Sequence, residues 1–416
     1  MSSASVIVVG GGAAGLATGI FAGRAMQHSG VVVMDGARKP GAKILVSGGS
    51  RCNVTNAVVT EADFNGGNPR IIRRILRGLS VGETVGFFAG LGVPLHEEPG
   101  GKLFPDSNRS RDVLDALMRG CSDASVTVLA DHRVTAIART AAGFDLTTSR
   151  GAFSAPTVVL ATGGRSLPKS GSDGAGYDLA RSLGHSIVNT TPALAPLMLS
   201  NTDEWTIHAQ LSGVSHDAAL DLWVDGRRTV EIRGSVLWTH FGISGPAALD
   251  MSRHWLRARL DGSEVQLTAR LAGGLGFDEL DARLQQLAAE RPRASAQSSL
   301  AALVPASVAE AVTRRIGLDG SIQLARLGRE DRRRLVHALT RWIVPVLDSR
   351  GYNFAEATAG GVPLTEIDPA TMESRVCPGL FLVGEILDVD GRIGGFNFQW
   401  AWSSARVAAR AIAARG

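Results

Sequence analysis

The chain is poor in residues that mark several protein classes. Its 416 residues include three cysteines, Cys52, Cys121 and Cys377, and no two form a C-x-x-C pair. That excludes a disulfide-oxidoreductase motif, argues against a cysteine-rich zinc site, and leaves no disulfide framework, which fits a reducing compartment. Lysine occurs only at Lys39, Lys43, Lys102 and Lys169; the remaining positive side chains are arginine. No apolar stretch reaches about 18 residues without a glycine or a charge, so no membrane span or membrane partner is expected. The N-terminus lacks the basic-then-apolar order of an export signal, so the expected location is the cytoplasm. The net charge is only +4, which permits an anionic partner without demanding one.

Glycine, by contrast, is abundant, with 50 residues gathered in particular loops, where backbone can approach a ligand. The first such loop follows the β-branched run Ser5–Val9. Gly10, Gly12 and Gly15 match G-x-G-x-x-G, a small-residue helix is expected over about Ala13–Gln27, and Val31–Met34 reads as a second buried strand ending in Asp35. Gly10 permits the tight turn, Gly12 lets backbone approach a pyrophosphate, and Gly15 lets helix and strand pack closely. The helix N-terminus offers N–H groups to phosphates, and Asp35 can accept from ribose hydroxyls.

Further along, residues 36–66 read as an ordered loop, 69–91 and 110–120 as helical. Val126–Leu129, Arg133–Ala138, Phe144–Thr148 and Phe153–Ala155 read as short strands, and Val158–Ala161 as a buried one. The character changes near Pro192–Pro196. The expected organisation is a discontinuous nucleotide-binding domain, 1–190 and 345–416, interrupted by a domain over 191–344 that is strand-rich to 275 and helical from 276. A final helix is expected over Phe398–Ala414.

The fingerprint alone does not separate NAD from FAD. Two later segments do: VVLATG (Val158–Gly163) and LFLVGE (Leu380–Glu385) end apolar strands in A-T-G and G-E, in the order found in FAD proteins of the glutathione-reductase type. Five motifs then resemble the HI0933-like (BaiN-type) flavoproteins across nearly the whole chain: KILVSGGSRCNVTN (Lys43–Asn56), FPDS (Phe104–Ser107), LATGGRSLPKSGSD (Leu160–Asp173), THFGISGP (Thr239–Pro246) and GEILDVDGRIGGFNFQWAWSS (Gly384–Ser404). The resemblance implies an α/β fold: a glutathione-reductase-type FAD-binding Rossmann domain with an inserted β-barrel-like plus helical domain. It implies FAD as cofactor and NAD(P)H as transient electron donor. Two departures stand out: Asp35 replaces the family's usual Glu, and the loop Gly391-Arg392-Ile393 is less typical.

Expected cofactor contacts at the adenosine and pyrophosphate end are Gly10, Gly12, Ala13, Ala14, Gly15, Asp35, Gly36 and Val134. Lys43, Ser47, Gly48, Gly49, Arg51 and Asn53 should fold over the pyrophosphate and ring. Ala161, Thr162, Gly163, Gly384 and Glu385 flank the chain of the cofactor, and Gly394, Gly395, Phe396, Asn397 and Phe398 open a helix aimed at the ring's pyrimidine end. Catalytic candidates are Cys52, a proton donor or a packing residue, and His240, a general acid or a core histidine. Arg314, Arg315, Arg326, Arg329, Arg332, Arg333, Arg334 and Arg341 form either a solvated face or an RNA-contacting surface. With no second Rossmann fingerprint in 191–344, a nicotinamide would dock on the flavin face and leave. The leading expectation is NAD(P)H-driven reduction of a ring carbon–carbon double bond. A ribosomal RNA dihydrouridine synthase and a flavin-bound binding or assembly protein without turnover are the alternatives.

Overall fold

The computed structural model describes residues 2–27 and 30–415, which divide into two compact units, 1–191 with 356–416, and 192–355. Each unit has its own buried apolar core.

Unit 1 is built on five parallel strands: β1 (Val6–Val9), β2 (Val31–Met34), β3 (Thr127–Leu129), β4 (Thr157–Leu160) and β5 (Leu380–Leu382), in the order β5-β4-β1-β2-β3. β1 and β5 are buried along their whole length and β4 from Val158 to Leu160, as apolar runs of parallel strands should be. Helix α1 (Ala13–Ala25) joins β1 to β2 and is buried from Ala14 to Gly23, so its small residues are packing surface on nearly every side. An antiparallel meander of Val134–Thr140, Gly143–Thr148 and Gly151–Ala155 lies before β4 in the chain. The closing helix, Phe396–Ala413, is also largely buried.

Three expectations need correcting here. The segment 36–66 is not one loop. It holds a helix over Ala42–Ser50, whose dihedrals break at Ser47, and two short strands, Thr55–Asn56 and Phe64–Gly66. The span 69–91 is two helices, Pro69–Leu76 and Val81–Gly90. Gly78 lies between them, where a Cβ would come 2.2 Å from Val407 Cγ2, and Ser80 starts the second helix with a capping box to Glu83. Residues 345–355 belong to unit 2, because Val346–Ser349 pairs with Leu197–Leu199 inside that unit's sheet.

Unit 2 carries a seven-stranded antiparallel ladder running from Trp342–Val344 through Val265–Arg270, Ser215–Val224, Arg227–Thr239, Gly242–Ser244 and Leu197–Leu199 to Val346–Ser349. The first and last strands are separated in the chain only by Pro345. A flat sheet would hold them about 29 Å apart. The sheet must therefore curl back on itself, which gives the barrel-like form. A helix over Pro246–Leu260, with proline in its first turn, lies within the stretch expected to be strand-rich. Helices over Phe277–Glu290, Ala296–Leu300, Ala306–Arg315 and Arg329–Thr340 complete the unit.

Candidate functional site

The glycine turn after β1 is fixed by packing. Gly10 has φ +110°, and a Cβ there would meet Ala161 O at 2.4 Å. A Cβ on Gly15 would come within 1.8 Å of Gly10 O. At Gly12 a Cβ would meet nothing within 4 Å. Two glycines are thus jammed into the fold, while the middle one borders open space at the start of α1. No side chain caps that helix, so Ala13 and Ala14 offer N–H groups that an anion can take.

Asp35 braces the turn. Its Oδ2 accepts from Gly11 N at 2.6 Å and its Oδ1 from Ala37 N at 2.7 Å. That bracing is not visible in the sequence, where Asp35 reads only as a ribose acceptor. Gly36 is exposed beside Arg133, and Val134 is buried.

The 43–56 segment bends sharply. Ser47 is extended, and Gly48, Gly49, Ser50 and Cys52 all have positive φ, from 54° to 67°. Ser47 Oγ donates to Ile44 O, closing the last true helical turn. Arg51 is not a free donor: its guanidinium pairs with Glu98 at 2.6 Å and lies 4.1 Å over the ring of Phe104. The ion pair holds Glu98 below its ordinary carboxylate value. This gives the FPDS motif a task, since Phe104 seats Arg51 and also abuts Gly48.

Lys43 Nζ reaches Glu385 Oε2 at 2.5 Å and also bonds Ser166 Oγ, which donates to Glu385 Oε1 at 2.9 Å. The structure thus brings Lys43 and Glu385 together and joins to them Ser166, from the motif Leu160–Asp173. Cys52 is fully buried, and burial, opposed by a hydrogen bond with Ser47, pushes its thiol up to about 12. The thiol is protonated at neutral pH but closed to solvent.

The closing helix begins at Phe396 after Gly395 in the left-handed region and has no side-chain cap. A Cβ on Gly395 would fall 2.9 Å from Asn53 Oδ1 and 2.5 Å from Thr55 O. Asn56 holds Gly394 O at 3.1 Å. Asn397 is spent on the backbone of Gly391, accepting from its N–H at 2.8 Å and donating to its carbonyl at 3.0 Å. Phe398 is half-buried. Gly384 is anchored by Trp400 Nε1, which donates to its carbonyl at 3.1 Å.

The buried side-chain oxygens of this unit without a hydrogen-bond partner among the described residues include Asn53 Oδ1, Thr162 Oγ1 and Ser172 Oγ. Thr162 follows Ala161 at the end of β4, and a Cβ on Gly163 would meet Ser172 Oγ at 2.8 Å. Such orphans are costly and are kept where a ligand or water meets them.

His240 belongs to unit 2. It is exposed on the turn between Arg227–Thr239 and Gly242–Ser244, edge-on to Phe241 with ring centroids 5.2 Å apart, and is not a core histidine. Among the arginines of 314–341, Arg314 pairs with Glu310, Arg315 with Glu204, Arg332 with Asp281 and Arg334 with Asp331. Arg341 stacks on Trp223. No described helix is long and apolar enough to cross a membrane.

Residues 4–411 match the family described as HI0933-like protein Rossmann domain. The chain belongs to the HI0933-like family. A 3-dehydro-bile acid delta(4,6)-reductase of Clostridium scindens is 31% identical over 408 residues, 98% of either chain. A ribosomal RNA dihydrouridine synthase of Escherichia coli is 32% identical, covering 100% of this chain and 99% of that one. Among solved structures, a variant of the E. coli quinol fumarate reductase FrdA shares the fold at 16% identity and a TM-score of 0.52, covering 100% of this chain and 71% of that one. As an HI0933-like protein with this α/β Rossmann architecture, the chain is an oxidoreductase.

Proposed function

We propose that this chain is an FAD-dependent reductase that uses NAD(P)H to reduce an electron-poor ring carbon–carbon double bond. The observation that carries the reading is the pairing of Asn53 Oδ1, buried and without a partner, with the uncapped N-terminus of the closing helix beside it. A flavin's pyrimidine edge presents an N–H donor next to carbonyl acceptors. An orphaned acceptor next to free helix N–H groups matches that edge. The open ground at Gly12 in front of α1 suits a pyrophosphate in the same way.

The residues present therefore fit FAD, and their tasks follow. Gly12, Ala13 and Ala14 meet the pyrophosphate. Asp35, already holding Gly11 and Ala37, has lone pairs left for the ribose hydroxyls. Lys43, Ser166 and Glu385 form a polar brace along the ribitol chain. Bound FAD supplies the hydride. The positive end of the closing helix stabilises negative charge at the pyrimidine edge and so favours the reduced state. Cys52, kept protonated by burial, is in the state a proton donor requires.

The test is anaerobic reduction. Purified protein should be yellow and should bleach with NADH or NADPH; colourless protein that cannot be reconstituted with FAD removes the reading. The ribosomal RNA alternative draws on the E. coli relative. Against it, four arginines of the basic stretch are neutralised within the chain. Mass mapping of ribosomal RNA from a deletion strain decides it, since an unchanged dihydrouridine content removes that alternative. Tight FAD that NAD(P)H cannot reduce would favour a protein without turnover.

A further inference from the structure

We infer that Arg392 is a specificity residue that receives an anionic group of the substrate, a carboxylate or a phosphate, beside the flavin's pyrimidine end. The inference rests on the FAD-dependent reading above. Arg392 lies four residues before Phe396, in the loop leading to the closing helix. Its side chain is built into place rather than waving in solvent. Its N–H donates to Asp63 O at 3.0 Å, and its Nε to Asp63 Oδ1 at 2.7 Å. Its guanidinium stacks on Phe396, 4.3 Å from the ring centroid.

Asp63 is itself fixed. Its Oδ2 accepts from Thr60 N at 2.8 Å and Thr60 Oγ1 at 3.1 Å, and its side chain is only 13% exposed. Phe64–Gly66, directly after it, pairs antiparallel with Val389–Gly391, so both ends of the ion pair hang from one ladder. Asn397 locks Gly391 next to Arg392. The arginine nevertheless keeps 51% of its side chain exposed.

An exposed ion pair alone stabilises little. Yet here one carboxylate, two backbone locks and an aromatic ring all serve to orient a single cation. Asp63 engages Nε, which leaves the two Nη groups, the edge that grips a carboxylate or phosphate with two hydrogen bonds. A preoriented arginine loses little side-chain freedom on binding, so it discriminates well between charged and neutral ligands.

The experiment uses the FAD-loaded enzyme, reduced anaerobically with dithionite and reoxidised by matched probes. One pair is a 3-oxo-4-ene steroid carboxylic acid and its methyl ester; the other is uridine 5′-phosphate and uridine. The parent enzyme should favour the charged member of one pair by about 10-fold or more in kcat/KM, and the responding pair identifies the anion's source. Arg392→Gln should abolish that preference through KM, with flavin content and midpoint potential unchanged. Arg392→Lys should restore part of it, which a merely structural role would not produce. A flavin-loaded parent that discriminates in neither pair, or an Arg392→Gln variant that keeps the preference, overturns the inference. So does a variant that loses FAD or shifts its potential, since the arginine would then serve the cofactor. Protein that cannot hold FAD fails at the earlier reading instead.

Discussion

The glycine turns of unit 1 and the arginine helices of unit 2 are equally conspicuous in the sequence, yet the fold treats them oppositely. Around the glycines, buried oxygens such as Asn53 Oδ1 and Thr162 Oγ1 lack partners among the described residues. Along the arginines, charge is met by charge: Arg332 by Asp281, Arg334 by Asp331, Arg314 by Glu310. A polar group left unmet in the interior costs about 1–3 kcal/mol, so its retention signals something outside the chain that meets it. A surface charge already paired signals little. Unmet valence, rather than composition, separates the candidate site from the conspicuous surface.

The sharpest way to break this contrast is at the glycines themselves. Gly15→Ala places a methyl group 1.8 Å from Gly10 O, and no side chain can yield there because the obstacle is backbone. It should cost about 3 kcal/mol and yield protein that melts early and holds no FAD. Gly12→Ala has φ −83° and open space. Its apo form should melt like the parent while FAD binds more weakly, because the methyl occupies the ligand's approach. Equal melting of the two apo variants would show that the packing of the turn has been misread.

Asp35→Ala comes next. The carboxylate ties Gly11 to Ala37 as well as facing the ribose, so its loss should weaken FAD by about 10- to 150-fold and also lower the stability of the apo protein. Thermal melting with and without FAD separates these effects. An unchanged apo melting temperature would confine Asp35 to the ribose.

Much of this frame was legible in advance. The β-branched runs at Val6–Val9 and Val31–Met34, with glycines spaced between them, locate β1, α1 and β2. The partnerships were not. Lys43 meets Glu385 across 342 residues and Arg51 meets Glu98 across 47, and no local periodicity announces such pairs. The helix at Ala42 was hidden because only a few residues are helical before Ser47. It is held by tertiary contacts, the burial of Ile44 and the hydrogen bond from Ser110 Oγ to Leu45 O at 2.8 Å. The aromatic seat of Arg51 likewise comes from strand pairing, which brings Phe104 to it, rather than from spacing along the chain.

The units should also part company in acid. Burial keeps His208, His216 and His254 of unit 2 below their ordinary values, His254 at about 4 with Arg253 adding to the effect. The unfolded chain takes up these protons from about pH 6.5 downward and the folded chain only later. Stability is therefore present above 6.5 and lost as the pH falls toward 4. In unit 1, Glu83 and Glu98 are held below 4.5, so their contribution is lost only under that value. Hydrogen exchange at pH 5, corrected for intrinsic rates, should show unit 2 losing protection first, with its transition lowered by roughly 5 °C from pH 7. Uniform loss across both units would count against buried neutral histidines as the cause.

The smallest effect is expected where the sequence is most basic. Arg329 and Arg333 are exposed and take part in none of the ion pairs found along this stretch, whereas Arg332 donates to Asp281 at 2.8 Å with both partners largely covered. Arg333→Gln and Arg329→Gln should each change stability by less than about 0.5 kcal/mol. Arg332→Gln should cost up to about 1 kcal/mol, because it also strands a carboxylate that Arg332 holds below its ordinary value. Reduction of a small ring substrate should be untouched in all three. If the helix Arg329–Thr340 instead contacts RNA, the exposed pair becomes the sensitive one: each loss should weaken RNA binding and lower its salt dependence by about one counterion. A salt titration of ribosomal RNA binding by parent, Arg333→Gln and Arg332→Gln proteins separates the two views, since a solvated face leaves the three alike and an RNA-contacting face makes Arg333→Gln the weaker binder. A larger effect at Arg333 than at Arg332 would turn the solvated face into an interface.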